Sequence, residues 1–558
     1  MRDYDEITAF LGEWGPYQKI IFFLLSLSVF PNGFCGINMV FVGDIPEHRC
    51  LIPGNLNLSE AWMNRTIPLE QDKDKLQYSK CRRYRLDVIR NLSEIFPDPD
   101  SVNISEVGQE PCLDGWVYSK EQYISTIVSE WDLVCDNGWK GPFSTSVYFI
   151  GVLAGSFIAG QLADRFGRKK VMFLTLALQT VFGIIQIFSP NWEIFCTFNF
   201  LVGLGSISNY MVAVVLGSEL VGKSVRIIYA TIGIGTFYAA GYMYLPFVAY
   251  FIRSWEILIL TLSLHGFLYI PLWWFIPESP RWLLIKGRVQ EAEEIIRQAA
   301  KKNDVTAPVM LFSDLELQDM KAKSNQSQAV MHLFTTSNIR TTTILNIIIW
   351  MVLATGYFGL SLNVPNLHGD DYLNCFLMGV IEVPAAIAAY IFLQRFPRRF
   401  SLSGILFLGG VVLLLIQIIP SNLSVLATVL MMIGKFTAAC GFLIVYVYGT
   451  ELYPTVVRSM GVGLSSTASR AATIISPYIF YLGLYHEFLP FIVLGCLMVL
   501  SAILTMILPE TFKIPLKDTI DQMEKIKRFN CKRKHKDHPY QGETTRENNM
   551  VITKREDM

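Results

Sequence analysis

The sequence predicts an all-α membrane protein: twelve transmembrane helices in two six-helix halves, with a large extracellular loop after the first helix. Three observations carry this expectation. Of 558 residues, 52% are apolar and only 17% charged, against about 25% charged in an average soluble protein, and the mean hydropathy is +0.37. The apolar residues run together: 20–43, 143–163 and 227–252 each exceed 20 residues without Asp, Glu, Lys or Arg, and about 20 such residues cross a hydrocarbon core about 30 Å thick. The third observation is an internal repeat, described below. Together these exclude a soluble enzyme, a disordered chain and a nucleic-acid binder, and a formal net charge of zero leaves no basic footprint for nucleic acid.

The elements follow in order. Residues 1–19 form a cytoplasmic N-terminus, and 20–42 the first span, too long for a cleavable signal peptide and read as a signal anchor. Residues 43–142 form the outer loop, 143–276 spans two to six, 277–340 a charged cytoplasmic linker, 341–508 spans seven to twelve, and 509–558 a cytoplasmic tail. Gly, Pro, Ser and Asn inside the apolar stretches fit helices packed on one another rather than barrel strands. Arg165, Arg168, Lys169, Lys170, Lys223, Arg226, Arg395, Arg398, Arg399 and Arg458 all follow even-numbered spans, so the positive-inside rule puts those loops, the linker and both termini in the cytoplasm. The outer loop carries sequons at Asn57, Asn64, Asn91 and Asn103, which suit a glycosylated surface. It also holds Cys50, Cys81, Cys112 and Cys135, read as two disulfides with three possible pairings.

The repeat sets the architecture. Gly217-Ser-Glu219-Leu220 with Val225-Arg226 recurs as Gly449-Thr-Glu451-Leu452 with Val457-Arg458, 232 residues on. That offset also carries Pro277-Glu278 onto Pro509-Glu510, and an offset of 230 carries Arg165-Phe-Gly-Arg168-Lys169 onto Arg395-Phe-Pro-Arg398-Arg399. Each match follows an even-numbered span, as expected of two parallel six-span repeats.

Gly160-Gln-Leu-Ala-Asp164-Arg165-Phe-Gly167-Arg168-Lys169 resembles the signature loop of the major facilitator superfamily, and Pro277-Glu278-Ser279-Pro280-Arg281-Trp282 with Glu451-Leu452-Tyr453-Pro454-Thr455 resembles its organic-ion transporters. The opening segment through Gly12-Glu13-Trp14-Gly15 and the Cys-bearing, sequon-rich outer loop are similar to the carnitine/organic-cation (novel organic cation transporter) branch of solute carrier family 22. The resemblance runs end to end. It implies the major facilitator fold and a multi-pass plasma-membrane secondary transporter, not an enzyme, taking up carnitine-like zwitterions and organic cations by alternating access.

Asp164, Arg165, Arg168, Glu219, Arg226, Glu451 and Arg458 sit at cytoplasmic helix ends, where acid–arginine pairs can lock and release helices as two halves rock about a central site. The alternative is static, topology-setting charge. Gly217 to Ser224 satisfies the Walker A pattern literally, but it closes an apolar span instead of following a strand, so no nucleotide binding is expected.

Glu382, Lys435 and Arg470 lie inside predicted spans, each costing at least about 2.5 kcal/mol at mid-bilayer unless it meets a cavity or a partner. Arg470 is the sharpest candidate, able to take a substrate carboxylate in a bidentate fork; the alternative is an ion pair with Glu382. Tyr210, Tyr238, Trp350, Tyr357 and Phe442 recur on spans expected to line the cavity, and aromatic faces bind quaternary ammonium. The resemblance raises Tyr210, Trp350, Tyr357, Phe442 and Glu382, which match cation-pocket positions of the wider family. It also notes that anion and zwitterion carriers have arginine at position 470. A net-neutral zwitterion gains nothing from membrane potential, so concentrating it requires a coupled ion. Asn32, Gln179 and Asn209 are polar amides in apolar spans that could ligate sodium, their alternative being helix–helix hydrogen bonds at about 0.6 kcal/mol each. The sodium-coupled carnitine transporters have Gly-Gln-Ile-Ser-Asn-Tyr where this chain has Gly205-Ser206-Ile207-Ser208-Asn209-Tyr210, a departure that weakens the sodium expectation. No cofactor or structural metal is expected, and the partners are the small-molecule substrate and the lipid bilayer. His265 reads as a packing residue, and the 532–536 basic run as solvated tail. The rival readings are a sodium-independent organic-cation or ergothioneine facilitator, an organic-anion exchanger, and a transport-inactive surface receptor.

Overall fold

The computed structural model describes residues 4–514, apart from 57, 73–74, 223, 314–315, 317–329, 421–422, 455–456, 485 and 487. Asn57, Lys223 and the 532–536 run therefore lie outside the described residues. The chain forms α1 (Pro16–Val42), α2 (Lys140–Phe166), α3 (Arg168–Gln186), α4 (Trp192–Leu220), α5 (Tyr229–Phe251) and α6 (Trp255–Phe275) in the amino half. The carboxyl half holds α7 (Ser337–Leu362), α8 (Asp371–Arg395), α9 (Arg398–Ile418), α10 (Ser424–Leu452), α11 (Arg458–Tyr481) and α12 (Leu489–Thr505).

Among the described residues nine of these helices are long and apolar enough to cross a membrane by composition alone. The other three fall short for legible reasons. Helix α3 opens on Arg168-Lys169-Lys170, α12 has only 17 residues, and α11 carries Arg470 and is broken between Thr473 and Ser476, just ahead of Pro477. Several breaks coincide with prolines, which remove a backbone donor. Helix α1 is interrupted at Val29 before Pro31, and α6 tightens to a 3₁₀ turn over His265–Tyr269 ahead of Pro271. Helix α1 starts earlier than residue 20 because Pro16 fits its first turn.

Small residues set the helix spacing. A Cβ at Gly33 would strike the Tyr238 carbonyl and one at Gly241 the Phe30 carbonyl, so α1 and α5 touch backbone to backbone as membrane helices do at small-residue contacts. The halves meet along α5 and α8 and along α2 and α11. At their outer ends Tyr372 stacks on Phe41 at 5.2 Å, Gln122 donates to Asp371 at 2.6 Å, and Ser146 Oγ donates to the Ile474 carbonyl at 2.7 Å. The outer side of the interface is therefore closed.

The outer loop is a small domain of paired strands: β1 (His48–Cys50) with β6 (Trp116–Tyr118), β2 (Leu69–Asp72) with β3 (Lys75–Tyr78), and β4 (Arg82–Tyr84) with β5 (Gln109–Pro111), all antiparallel. Its bridges are Cys50–Cys112 and Cys81–Cys135, one of the three pairings open in the sequence. Trp62, Ile89 and Ile104 form its core. Arg83, 2% exposed, donates to Glu110 at 3.0 Å, Asp114 at 2.5 Å and the Leu51 carbonyl at 2.7 Å, tying β4 to β5 and the β1 exit. Asn64, Asn91 and Asn103 are exposed. On the cytoplasmic side two helices, Pro280–Ile285 and Val289–Lys302, pack with Tyr4 and Ile7 through Trp282, Leu283 and Ile296. Asn303 accepts from the Tyr17 amide and donates to the Leu11 carbonyl and to Gln18, so the linker is clamped to the start of α1.

Candidate functional site

Two helices of the carboxyl half present the same spacing toward the interface. Helix α7 supplies Trp350, Tyr357 and Ser361, and α10 supplies Lys435, Phe442 and Tyr446; steps of seven and four keep each trio on one helical face. Their rings form a continuous wall: Trp350–Tyr446 at 4.4 Å, Tyr446–Phe442 at 5.4 Å and Phe442–Tyr357 at 5.9 Å. Tyr446 was not singled out by sequence, although its place four residues after Phe442 is the signal that could have found it.

At one end of the wall lies an ion pair. Glu382 Oε1, on α8, accepts from Lys435 Nζ at 2.8 Å and from the Tyr357 hydroxyl at 2.7 Å. Lys435 is fully buried, donates to Ser361 Oγ at 2.7 Å, and places its ammonium over the Tyr357 ring 3.1 Å from the centroid and over Tyr242 at 5.6 Å. Tyr242 belongs to α5, so the amino half borders this corner. The suggested Glu382–Arg470 pair does not form. The carboxylate instead takes the nearer ammonium of Lys435, a residue that stood out in the sequence as an interior charge without a partner.

Arg470, on α11, donates from Nη1 to the Ser466 carbonyl at 3.0 Å and to Ser466 Oγ at 2.5 Å. Among the described residues it makes no ion pair. Its charge is within electrostatic reach of the Tyr210 phenol on α4, as is Tyr446. The structure thus brings Trp350, Tyr357, Phe442 and Glu382 together, with Tyr210 within electrostatic reach of Arg470.

The amides of the amino half make their own cluster. Asn32 Nδ2 donates to the Ser206 carbonyl at 2.6 Å and to Ser206 Oγ at 3.0 Å, while Asn209 Nδ2 donates to the Ser28 carbonyl at 3.0 Å and Asn32 Oδ1 at 3.3 Å. Gln179 donates to Cys35 Sγ at 2.9 Å, about one turn along α1. Gln179 Oε1 and Asn209 Oδ1 are buried without a hydrogen-bond partner, and orphaned amide oxygens are the donor type a hard monovalent cation takes. Gln179 also borders a small enclosed cavity of about 30 Å³ with Cys35, Asn38, Thr180 and Gln186, about the space of one or two waters.

The cytoplasmic helix ends repeat one design in both halves. Arg168 Nε lies 3.3 Å from Glu219 and Arg398 Nε 3.1 Å from Glu451, joining α3 to α4 and α9 to α10. Glu278 accepts from the amides of Arg168 and Lys169 at 2.9 and 3.0 Å; Glu510 accepts from those of Arg398 and Arg399 at 2.8 and 3.1 Å. Each carboxylate caps the amino end of the third helix of its half, where the macrodipole favours negative charge. Gly167, at φ +107°, leaves room for this cap, since a Cβ there would meet the Glu278 carboxylate. The repeated Pro-Glu pairs were visible in the sequence, but not this task.

Four further gating candidates make local contacts. Arg226 pairs with Asp5 of the N-terminal segment at 3.1 Å and donates to the Ser218 carbonyl of α4 at 2.6 Å, so it fastens the N-terminus beside the end of α4. Asp164 pairs with Arg168 within the α2–α3 turn at 2.9 Å. Arg165 is exposed, with its guanidinium over Phe166 at 5.3 Å. Arg458, at the start of α11, donates to the Tyr453 carbonyl at 3.4 Å. All of these contacts stay within one half. His265 hydrogen-bonds to Tyr244 and the Thr261 carbonyl, both at 2.8 Å, a packing role. The Walker-like stretch begins at the end of α4, where a Cβ at Gly217 would enter the Tyr229 ring.

Comparison with known proteins completes the picture. Residues 136–523 match the family described as "Sugar (and other) transporter". The chain is 57% identical to the Organic cation/carnitine transporter 2 of Rattus norvegicus over 528 residues, covering 94% of this chain and 95% of that protein, and 56% identical to that of Homo sapiens with the same coverage. It is 53% identical to Solute carrier family 22 member 4 of Mus musculus, over 96% of this chain and 97% of that protein. The inward-open xylose transporter XylE from E. coli superposes with a TM-score of 0.60 at 14% identity, over 89% of this chain and 98% of that one, a likeness of fold.

Proposed function

Because the chain belongs to the sugar (and other) transporter family, and within it to the organic cation/carnitine transporters, we propose that it is a plasma-membrane carrier of carnitine-like zwitterions and organic cations, working by alternating access. The observation that carries the substrate class is the pairing of a ring-and-carboxylate corner with an arginine that has no acidic partner among the described residues. The trimethylammonium of carnitine packs against Trp350, Tyr357 and Phe442 near Glu382, a contact worth about 2 kcal/mol or more once dry. Its carboxylate takes the Arg470 guanidinium, whose planar fork matches it bidentately. Closed outer contacts and open outer contacts alternate as the two halves rock, each half held rigid by its own arginine–carboxylate pair and helix cap.

Sodium coupling belongs to the zwitterion part of this proposal. The orphaned oxygen of Asn209, beside Asn32, and that of Gln179 support an ion seat in the amino half, and Ser206 stands at the position where the sodium-coupled motif has glutamine. A sodium-independent facilitator is the second reading, favoured by that substitution. The two are separated by one experiment: uptake of carnitine and of tetraethylammonium by expressing cells, with sodium and with choline in its place. Saturable uptake of both, with carnitine falling in choline, supports the coupled carrier. Unchanged carnitine uptake marks a facilitator, and no uptake above vector controls overturns the proposal.

A further inference from the structure

We propose that the Lys435 ammonium is a resident occupant of the substrate's ammonium seat, so that substrate loads by exchanging its own ammonium for that of Lys435. The inference rests on the transport reading above and deepens it. A cation seat in a dry interface needs a carboxylate, an aromatic face and exclusion of water. Glu382, Tyr357 and Tyr242 supply these, and the group they already hold is Lys435: 2.8 Å from Glu382, 3.1 Å from the Tyr357 centroid, 5.6 Å from that of Tyr242, and fully buried. A static ion pair would need neither ring. A lysine stem with four rotatable bonds can withdraw its point charge from this corner, which a guanidinium fork does less readily. Its other anchor, Ser361 Oγ at 2.7 Å, lies one turn along α7 from Tyr357.

Two consequences follow. An empty carrier keeps Glu382 neutralised, so the interface can rearrange without the desolvation cost of a bare buried carboxylate. And the interior charges of the carboxyl half, Arg470 and Lys435 against Glu382, leave one excess positive among the described residues of this site, so a monocation adds to like charge while a zwitterion adds none. Lys435 is then a specificity-determining residue that disfavours simple monocations relative to zwitterions. If it holds the seat about nine-tenths of the time, the apparent affinity of any competing ammonium is lowered about tenfold.

The test is the KM of tetraethylammonium and of carnitine in cells expressing the wild-type chain, Lys435→Gln, Lys435→Arg and Ser361→Ala, each normalised to surface abundance. Lys435→Gln is expected to lower the tetraethylammonium KM about tenfold and to raise the tetraethylammonium-to-carnitine ratio of kcat/KM, whereas Lys435→Arg, which keeps a cation, shows no such gain. Ser361→Ala loosens Lys435 without altering charge and lowers the KM of tetraethylammonium two- to threefold; it carries the test if Lys435→Gln fails to reach the surface. A merely structural lysine would leave the ratio unmoved. Unchanged or raised tetraethylammonium KM in whichever of Lys435→Gln and Ser361→Ala reach the surface overturns the proposal alone. Absence of saturable uptake by the wild-type chain overturns the transport reading, and this inference with it.

Discussion

Replacing Arg470 with alanine separates a substrate-binding guanidinium from a structural one. Among the described residues the side chain is tied to Ser466, on its own helix, so its removal breaks no inter-helix ion pair there. Two unit charges about 4 Å apart interact by about 4 kcal/mol at an effective dielectric near 20, and desolvation leaves about 1.5–3 kcal/mol for a hydrogen bond to a charged group. Carnitine should therefore lose about 10- to 100-fold in apparent affinity. Tetraethylammonium has no carboxylate and should hold its KM or bind more tightly, because one like charge has gone. Arg470→Lys keeps the charge but not the fork, and should recover part of the carnitine affinity. The assay is concentration-dependent uptake of both radiolabelled compounds, corrected by surface biotinylation. Equal losses for the two, at normal surface level, would show that the arginine shapes the protein and does not hold a carboxylate.

Other expectations concern the ion seat, the caps and the outer domain. Gln179→Leu should remove the sodium dependence of carnitine uptake while leaving tetraethylammonium uptake intact; a sodium stimulation equal to wild type refutes the seat. Glu510→Gln keeps the side-chain shape but loses the charge and puts an amide NH2 where one of the two oxygens accepts from the Arg398 and Arg399 amides, and should destabilise by about 1–3 kcal/mol, read as a lower melting temperature of the detergent-solubilised carrier. Arg83→Met removes the bonds to Glu110, Asp114 and the Leu51 carbonyl but leaves both carboxylates in reach of water, and should cost about 1–3 kcal/mol, appearing as retention of the protein inside the cell. Burial holds the His48 imidazole below its ordinary value of 6.5. The unfolded chain thus binds the proton first, and the stability due to neutral His48 is present above pH 6.5 and lost as pH falls through the lower folded value. Proteolysis of the outer loop should accelerate on acidification, and less so in His48→Gln.

The membrane architecture was legible in the sequence because a lipid core forces each span to announce itself by length and charge. Ten of the basic residues at span ends and the repeat at 230–232 residues were enough to order the helices. Interior charges were equally visible: Glu382, Lys435 and Arg470 all stood out. Their partners were not, because pairing depends on which faces of α7, α8 and α10 meet, and the carboxylate of Glu382 is claimed by a residue 53 positions away. The same limit hid Asp5 behind Arg226, separated by 221 positions, and the capping task of Glu278 and Glu510. Helix α11 was read as one unbroken span because nothing local says that the chain yields at Ile474 and Ile475 instead of bending around Pro477. Cysteine pairing needed the strand layout, since four thiols allow three frameworks.

The two bridges of the outer domain interlace: 50–112 encloses Cys81, and 81–135 encloses Cys112. A single cut between residues 81 and 112 would leave each fragment holding one thiol of either crosslink. Such a nicked chain migrates intact on a gel until reductant is added. An ectodomain scissored in this way cannot be shed, and whatever sugar or antibody it carries stays with the membrane.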